Sequence, residues 1–246
     1  MAFAYRTMDL PYELHKILAC AHPLMLSNPD EEYPFFSGTC FSVRYRRKLF
    51  VLSALHCFNG LDVKRTRVDC GLPHNEFFPL KRWSRFDAAD LPDPDVGDIA
   101  LFEVDTERMT NAEVGWAPSL EVADNLIGAP ELPSGCQLIL EGYPYEPVHY
   151  SPDLRMTVRP SRKLTAIYEG PTGQPGISGL SFKDLGDLGD LNGMSGSPVL
   201  GLRRSSADVV KYRLAGMLIR ASTAQKRGSF INADVLMVAL KQCADG

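Results

Sequence analysis

Three short blocks of this 246-residue chain hold residue types suited to nucleophilic chemistry. "LSALHC", residues 52–57, brings an apolar run to His56. "GDIALFEVD", residues 97–105, starts one at Asp98. "LNGMSGSPVL", residues 191–200, sets Ser195 between Gly193 and Gly196, just ahead of a third. A serine hydroxyl is a weak nucleophile at neutral pH. It needs a base beside it, and the base needs an acid to orient it. Histidine and aspartate fill those roles. The flanking glycines permit a tight turn that aims backbone N–H groups at a reacting carbonyl. Singly, each residue has a plain structural reading as a packed histidine, a strand-start carboxylate or a turn serine. Together, in this order and setting, they favour the chemistry.

Chain order excludes the other serine-hydrolase arrangements. His149 is the last histidine, so no base follows Ser195, and hydrolases built on a nucleophile elbow place their histidine after the serine. Their G-x-S-x-G motif would also need glycine at 197, where Ser197 stands. An acid ahead of His56 would come from Asp9, Glu13, Asp30, Glu31 or Glu32, outside any parallel α/β pattern. The order His56, Asp98, Ser195 remains. Asp95 is the second choice of acid and lacks an apolar strand behind it. His22, His74 and His149 lack any comparable setting and are expected to be structural or at the surface.

The elements that must position these residues are strands. From residue 36 onward, short apolar runs alternate with Gly, Pro, Asp and Asn, a pattern of sandwich or barrel. "GTCFSVRYRRKLFVLSALHC" reads as strand, basic turn and strand. "DIALFEVD", "CQLILEGYP", "RKLTAIYEG", "GSPVLGLRR" and "YRLAGMLIRAS" follow the same rule. Helices are expected near Leu10–Ala19 and in "NADVLMVALKQ", where Asn232 is placed to cap. The stretch from Pro118 to Pro133 reads as the connection between two halves.

Composition narrows the class. Lys and Arg number 26 against 30 Asp and Glu, a net charge of −4, which argues against a nucleic-acid surface. The basic cluster Arg44, Arg46, Arg47 and Lys48 reads as a solvated hairpin tip. No run is long and apolar enough to span a bilayer. The first residues break their apolar pattern with Asp9, Glu13, His15 and Lys16, unlike a secretory signal. No membrane association and a cytoplasmic location are the expectation, with the six cysteines as free thiols. Cys20-x-His22 lacks a second pair at zinc-like spacing, so neither a metal nor another cofactor is expected.

The three blocks in this order resemble the chymotrypsin-like (trypsin-fold) serine proteases, in their short-looped bacterial and viral branch. "SALHC" is similar to that family's T-A-A-H-C, "DIAL" to its D-I-A-L, and "GMSGSP" to its G-D-S-G-G-P. The likeness runs over roughly residues 36–242, with "GTCFSV", "GYP" and "LAGMLIRAS…RGSFINADVLMVAL" in family order. It implies an all-β fold of two six-stranded antiparallel barrels with a C-terminal helix. Residues 1–35 would be an N-terminal extension, 36–125 the first barrel and 126–246 the second barrel with the helix. It implies a serine endopeptidase acting through an acyl-enzyme on a peptide or a specific protein partner. Ser195 would be nucleophile, His56 base and Asp98 orienting acid, with the Gly193 and Ser195 N–H groups as oxyanion hole. Asp190, Asn192, Ile219, Arg220, Ala221 and Gly228 would line the substrate pocket. Asp190 could reach a basic side chain or simply face water. Cys40 and Cys57 match the family's cysteine pair across the first hairpin.

Two departures keep a rival open. Met194 replaces the acid before the serine and Ser197 replaces a glycine, so a silent pseudo-protease serving as a binding scaffold is the alternative. A third possibility, a small-ester hydrolase, is permitted by the chemistry and supported by no motif. Met194 also cannot bind a newly cut N-terminal amine by charge, so activation by N-terminal cleavage is not expected.

Overall fold

The computed structural model describes residues 18–27, 34–58, 60, 62–70, 77–86, 94–122, 132–146, 149–151, 156–158, 160–204 and 210–245. Seven strands form the first sheet: β1 (Ala21–Leu26), β2 (Phe35–Tyr45), β3 (Lys48–Ala54), β4 (Thr66–Val68), β5 (Leu80–Arg85), β6 (Ile99–Val104) and β7 (Leu120–Glu121). Their order is β4-β1-β2-β3-β6-β5, with β7 parallel to β2. A short helix, α1 (Asn111–Trp116), precedes β7. Thr110 caps it by accepting the Glu113 N–H, while the Glu113 carboxylate accepts the Thr110 N–H.

The second half holds β8 (Gln137–Gly142), a two-stranded pair of β9 (His149–Ser151) and β10 (Met156–Val158), then β11 (Arg162–Pro171), β12 (Ile177–Asp184), β13 (Pro198–Arg204), β14 (Val210–Ser222) and β15 (Arg227–Asn232). Strands β11-β12-β15-β14-β13-β8 close into a barrel. Helix α2 (Ala233–Asp245) follows and buries Leu236, Ala239, Leu240 and Cys243.

Three differences from the sequence expectation stand out. The second barrel is closed and six-stranded as anticipated, but the first sheet is a half-barrel. Among the described residues its edge strands β4 and β5 do not pair, and β4 is only three residues long. The first sheet also reaches back to Ala21, within the stretch read as an extension. "AHPLML" holds Pro23 and no clean alternation, so it gave no strand signal, yet it pairs with both β2 and β4. The expected helix near Leu10–Ala19 falls almost wholly outside the described residues. Finally, Asn232 ends β15 without capping α2, because its buried Oδ1 has no hydrogen-bond partner.

The basic cluster is more than a solvated tip. Arg46 and Arg47 form the β2–β3 turn with φ of 49° and 66°, left-handed values that non-glycine residues avoid. The hairpin tip lies against the end of α2. Arg46 pairs with Asp245 at 2.5 Å and Lys48 Nζ donates to the Ala244 carbonyl at 3.4 Å. Arg82 Nη2 donates to the Cys243 carbonyl at 2.6 Å. These cations satisfy the unpaired carbonyls and negative dipole at a helix C-terminus.

His22 of β1 is buried in the first sheet. Its Nε2 lies 3.0 Å from Ser42 Oγ, and its ring meets Phe78 edge-on at 5.4 Å. Burial disfavours the cation and holds the imidazole at about 4, down from 6.5. His74 and the His149 side chain lie outside the described residues. Because the unfolded chain takes up a proton at His22 more readily than the folded one, stability contributed here is intact above pH 6.5 and is lost as pH falls toward 4. The loss should approach about 3 kcal/mol by pH 4. Urea midpoints at pH 7 and pH 4.5 should differ markedly less in His22→Gln than in the unaltered chain. An equal difference would show that His22 titrates normally.

Candidate active site

Register brings His56 to Asp98. Strands β3 and β6 are antiparallel, and their last pair is Ala54 with Ile99. The residue after one strand therefore faces the residue before the other, and the Leu55 N–H donates to the Asp98 carbonyl at 3.3 Å. His56 follows in a 3-10 turn, Leu55–Phe58. Asp98 grips it twice: Oδ1 accepts the His56 backbone N–H at 2.8 Å and Oδ2 lies 2.6 Å from Nδ1. The carboxylate is largely covered, with 17% of its side chain exposed, while the imidazole is 49% exposed and open to the cleft. The second bond fixes the ring with Nδ1 protonated and Nε2 available as acceptor.

Asp95, the second choice of acid, is used differently. Its carbonyl accepts the Asp98 N–H at 3.2 Å, and its carboxylate meets Arg220 Nη2 at 2.6 Å. It thus shapes the turn that presents Asp98.

Ser195 sits in the loop ahead of β13, and that loop is sewn to the first sheet. Thr39 of β2 donates its N–H to the Ser195 carbonyl at 3.0 Å and its Oγ1 to the Gly193 carbonyl at 2.8 Å. Its Oγ1 also accepts the Tyr143 N–H at 2.9 Å, and its own carbonyl accepts Ser53 Oγ at 2.8 Å. Gly193 and Gly196 both have φ of 90°. A Cβ at Gly196 would lie 1.9 Å from the Thr39 carbonyl oxygen, so only glycine allows this approach. Thr39 lies inside the "GTCFSV" block but was missed as a site residue, since nothing local marks a strand threonine as a partner of residues some 150 positions away.

Met194 is fully buried in the core of the second barrel, among Leu138, Leu140, Leu191, Val199 and Leu218. Gly142 makes room for it: a Cβ there would lie 3.0 Å from the Met194 thioether and 2.0 Å from Ser197 Oγ. Ser197 Oγ donates to the Met194 carbonyl at 2.6 Å. The loop is therefore held by packing and by hydrogen bonds to neighbours.

The N–H groups of Gly193 and Ser195 have no hydrogen-bond partner among the described residues. They are free to bind an oxygen. Ser195 Oγ donates to the Ile219 carbonyl at 3.1 Å, and no bond joins it to His56. His56, Asp98, Gly193 and Ser195 line one cleft of about 1630 Å³ together with Asp190, Asn192, Ile219, Arg220, Ala221 and Gly228. Asp190 turns both oxygens on its neighbour Asn192, accepting the backbone N–H at 3.0 Å and Nδ2 at 2.6 Å. Gly228 stands where a Cβ would lie 2.8 Å from the Arg220 carbonyl. Tyr145 flanks the cleft near Gly193, donating its hydroxyl to the Phe36 carbonyl at 2.8 Å and its N–H to the Asn192 carbonyl at 2.7 Å.

Cys40 and Cys57 are free thiols. Cys57 Sγ points to the Ser195 carbonyl at 3.7 Å, whereas Cys40 Sγ points to the His22 carbonyl at 3.5 Å. Gly38 is the residue packed on Cys57, since a Cβ there would lie 2.7 Å from Sγ. The sequence pairing is thus off by two residues of β2. Burial, with the Asp98 charge nearby, pushes the Cys57 thiol up to about 12, so it is no rival nucleophile. Among the described residues, no three His, Cys, Asp or Glu side chains converge as a metal site, and no helix is long and apolar enough to cross a membrane.

No family model matches the chain, and no curated protein sequence does. Solved structures do. The active form of the Rv3671c protease from M. tuberculosis matches with a TM-score of 0.53 and 15% identity, over 94% of this chain and 83% of that one. The HtrA-type protease AlgW with a decapeptide matches with a TM-score of 0.56 and 13% identity, over 93% of this chain and 66% of that one. At these identities the likeness establishes the fold: the chain has the chymotrypsin-like double-barrel architecture of serine proteases.

Substitutions at two positions test how the serine loop is held. Thr39→Val keeps the shape but leaves the Tyr143 N–H unpaired, and should cost about 2 kcal/mol in chemical unfolding, with Thr39→Ser recovering most of it. Met194→Asp would bury an uncompensated carboxylate and should cost at least about 3 kcal/mol, whereas Met194→Leu should cost less than about 1.5 kcal/mol. A tolerated Met194→Asp would show that the loop is held by something other than apolar packing.

Proposed function

We propose that the chain is a serine endopeptidase that cleaves peptide bonds through an acyl-enzyme, with Ser195, His56 and Asp98 as its triad. The observation that carries this reading is the double grip of Asp98 on His56, at the mouth of a cleft that also holds Ser195 and two unpartnered N–H groups. The fold of the solved relatives supports it.

In this reaction a peptide enters the cleft, and Ser195 Oγ leaves the Ile219 carbonyl to face His56 Nε2. His56 takes the hydroxyl proton as Oγ bonds to the scissile carbonyl carbon. The resulting oxyanion is met by the Gly193 and Ser195 N–H groups, which are held in advance and need no reorganisation. Asp98 keeps the imidazole in its working tautomer and stabilises the cation. His56 then passes the proton to the leaving amine and the C–N bond breaks. Water, deprotonated by His56, then attacks the acyl carbonyl carbon; the bond from that carbon to Oγ breaks, His56 returns the proton to Ser195 Oγ, and the acid product leaves.

One observation favours a second reading. Ser195 Oγ bonds to Ile219 rather than His56, as would suit a binding module that has lost its chemistry. A fluorophosphonate probe separates the two. Labelling of the native protein that disappears in Ser195→Ala supports the enzyme, while an unlabelled folded protein supports the scaffold. With a cleaved peptide in hand, Ser195→Ala and His56→Ala should each lower turnover by several orders of magnitude. Asp98→Asn should lower it roughly 10⁴-fold, as the same change does in this class of enzyme. A dead Asp95→Asn beside a nearly normal Asp98→Asn would reassign the acid.

A further inference from the structure

The cleft carries a charge arrangement that the triad does not use. Strand β14 parts from β13 at the Met217–Pro198 pair, so from Ile219 onward it has β15 on one side and the cleft on the other. The pairing of β14 with β15 shifts register between Leu218 and Arg220. Ile219 is buried and Ala221 half-buried, while the Arg220 side chain is 69% exposed over the cleft. Arg220 reaches from the second barrel to the first and places Nη2 2.6 Å from Asp95 Oδ1. Only that one donor of its five has a partner among the described residues.

A second guanidinium lines the same cleft. Arg85 of β5 pairs in register with Ala100, so it flanks the start of β6 beside the Asp95–Asp98 turn. It is exposed, and it has no hydrogen-bond or ion-pair partner among the described residues. Of the other charges on the cleft wall, Asp98 holds His56 and Glu169 pairs with Arg227 at 3.5 Å, while Asp190 accepts from the neutral amides of Asn192 and keeps its charge.

We infer that Arg220, supported by Arg85, selects peptides that carry a carboxylate side chain a few residues before the cleaved bond. The inference rests on the proteolytic reading above and on the cleft-side edge of β14 at Ile219–Ala221, where an extended peptide would add as a further strand beside Arg220. Asp95 shows that a carboxylate fits against Arg220, because it is one. The guanidinium fork keeps free donors for a second carboxylate, and Arg85 supplies a nearby cation with no internal claim on it. The pair is open on its Arg220 side, with 69% of that side chain exposed against 19% for Asp95, so a substrate acid reaches the remaining donors of the guanidinium.

The test uses internally quenched peptide libraries in which Glu, Gln or Lys is fixed in turn at the second, third or fourth position before the cut. The unaltered protein should cleave the Glu library at one of these positions at least about tenfold faster than the Lys library. The ratio should shrink as salt is raised, because the site is exposed. Arg220→Glu should reverse the ratio, Arg85→Ala should reduce it, and Asp95→Asn should increase it. Reading ratios within each variant keeps a general loss of activity from mimicking a loss of selection. Cleavage indifferent to charge, or a Glu preference that survives both Arg220→Glu and Arg85→Ala, overturns the inference and leaves the protease intact. Absence of cleavage together with absence of fluorophosphonate labelling overturns the protease reading, and this inference with it.

Discussion

Thr39 is the joint on which the site depends. One core cluster runs from the first sheet to strands of the second barrel and to α2, a second lies within the second barrel, and the groups brought together at the cleft come from both halves. His56 and Asp98 belong to the first sheet; Gly193, Ser195 and Ile219 belong to the second barrel. What fixes the serine loop against the first sheet is a buried threonine that uses its N–H, carbonyl and hydroxyl at once, on Ser195, Ser53, Gly193 and Tyr143. Thr39 itself is fully buried, so breaking one of these bonds leaves its own polar group unsatisfied rather than rehydrated. Gly196 is the complement of that joint, because any side chain there would push the Thr39 carbonyl away.

The two halves hold their reactive residues by different means. In the first sheet it is ladder register: the Ala54–Ile99 pair sets Leu55 against Asp98, and the carboxylate then closes on His56. The strand behind Asp98 is buried along its whole length, which leaves it little freedom to slip. In the second barrel it is volume. Met194 fills a space that Gly142 leaves empty, and the loop's direction follows from that fit. A thioether does this without the desolvation cost of a buried charge.

The parts legible in the sequence are those whose requirements are local. A histidine after an apolar strand, an aspartate before one and a serine between left-handed glycines each constrain only a few neighbours, and their order did the rest. Strand spacing pointed to a sandwich or barrel, the family resemblance implied barrels, and the C-terminal helix followed from its apolar clustering. What stayed hidden depends on distant partners. Pro23 disguised β1. Cys40 looked like the mate of Cys57 until register put Gly38 there. Arg46 and Lys48 looked solvated because the helix end they hold is almost 200 residues away. Asp190 had two readings, toward a basic side chain or toward water, and in the structure its oxygens accept from Asn192 two residues on.

The bonds from Thr39 to the serine loop join residues 154 positions apart, and the barrel behind that loop closes only when β15 pairs with β12 and β14. Contacts this distant in sequence form late, because the loop they close must first lose its freedom. During synthesis from the N-terminus, His56 and Asp98 can meet long before Ser195 exists. The loop that carries Ser195 cannot take its shape until nearly the last strand has left the ribosome. A nascent or nicked chain thus holds the pieces of the cleft without the cleft, and the order of assembly itself keeps the nucleophile unformed until the whole molecule is in place.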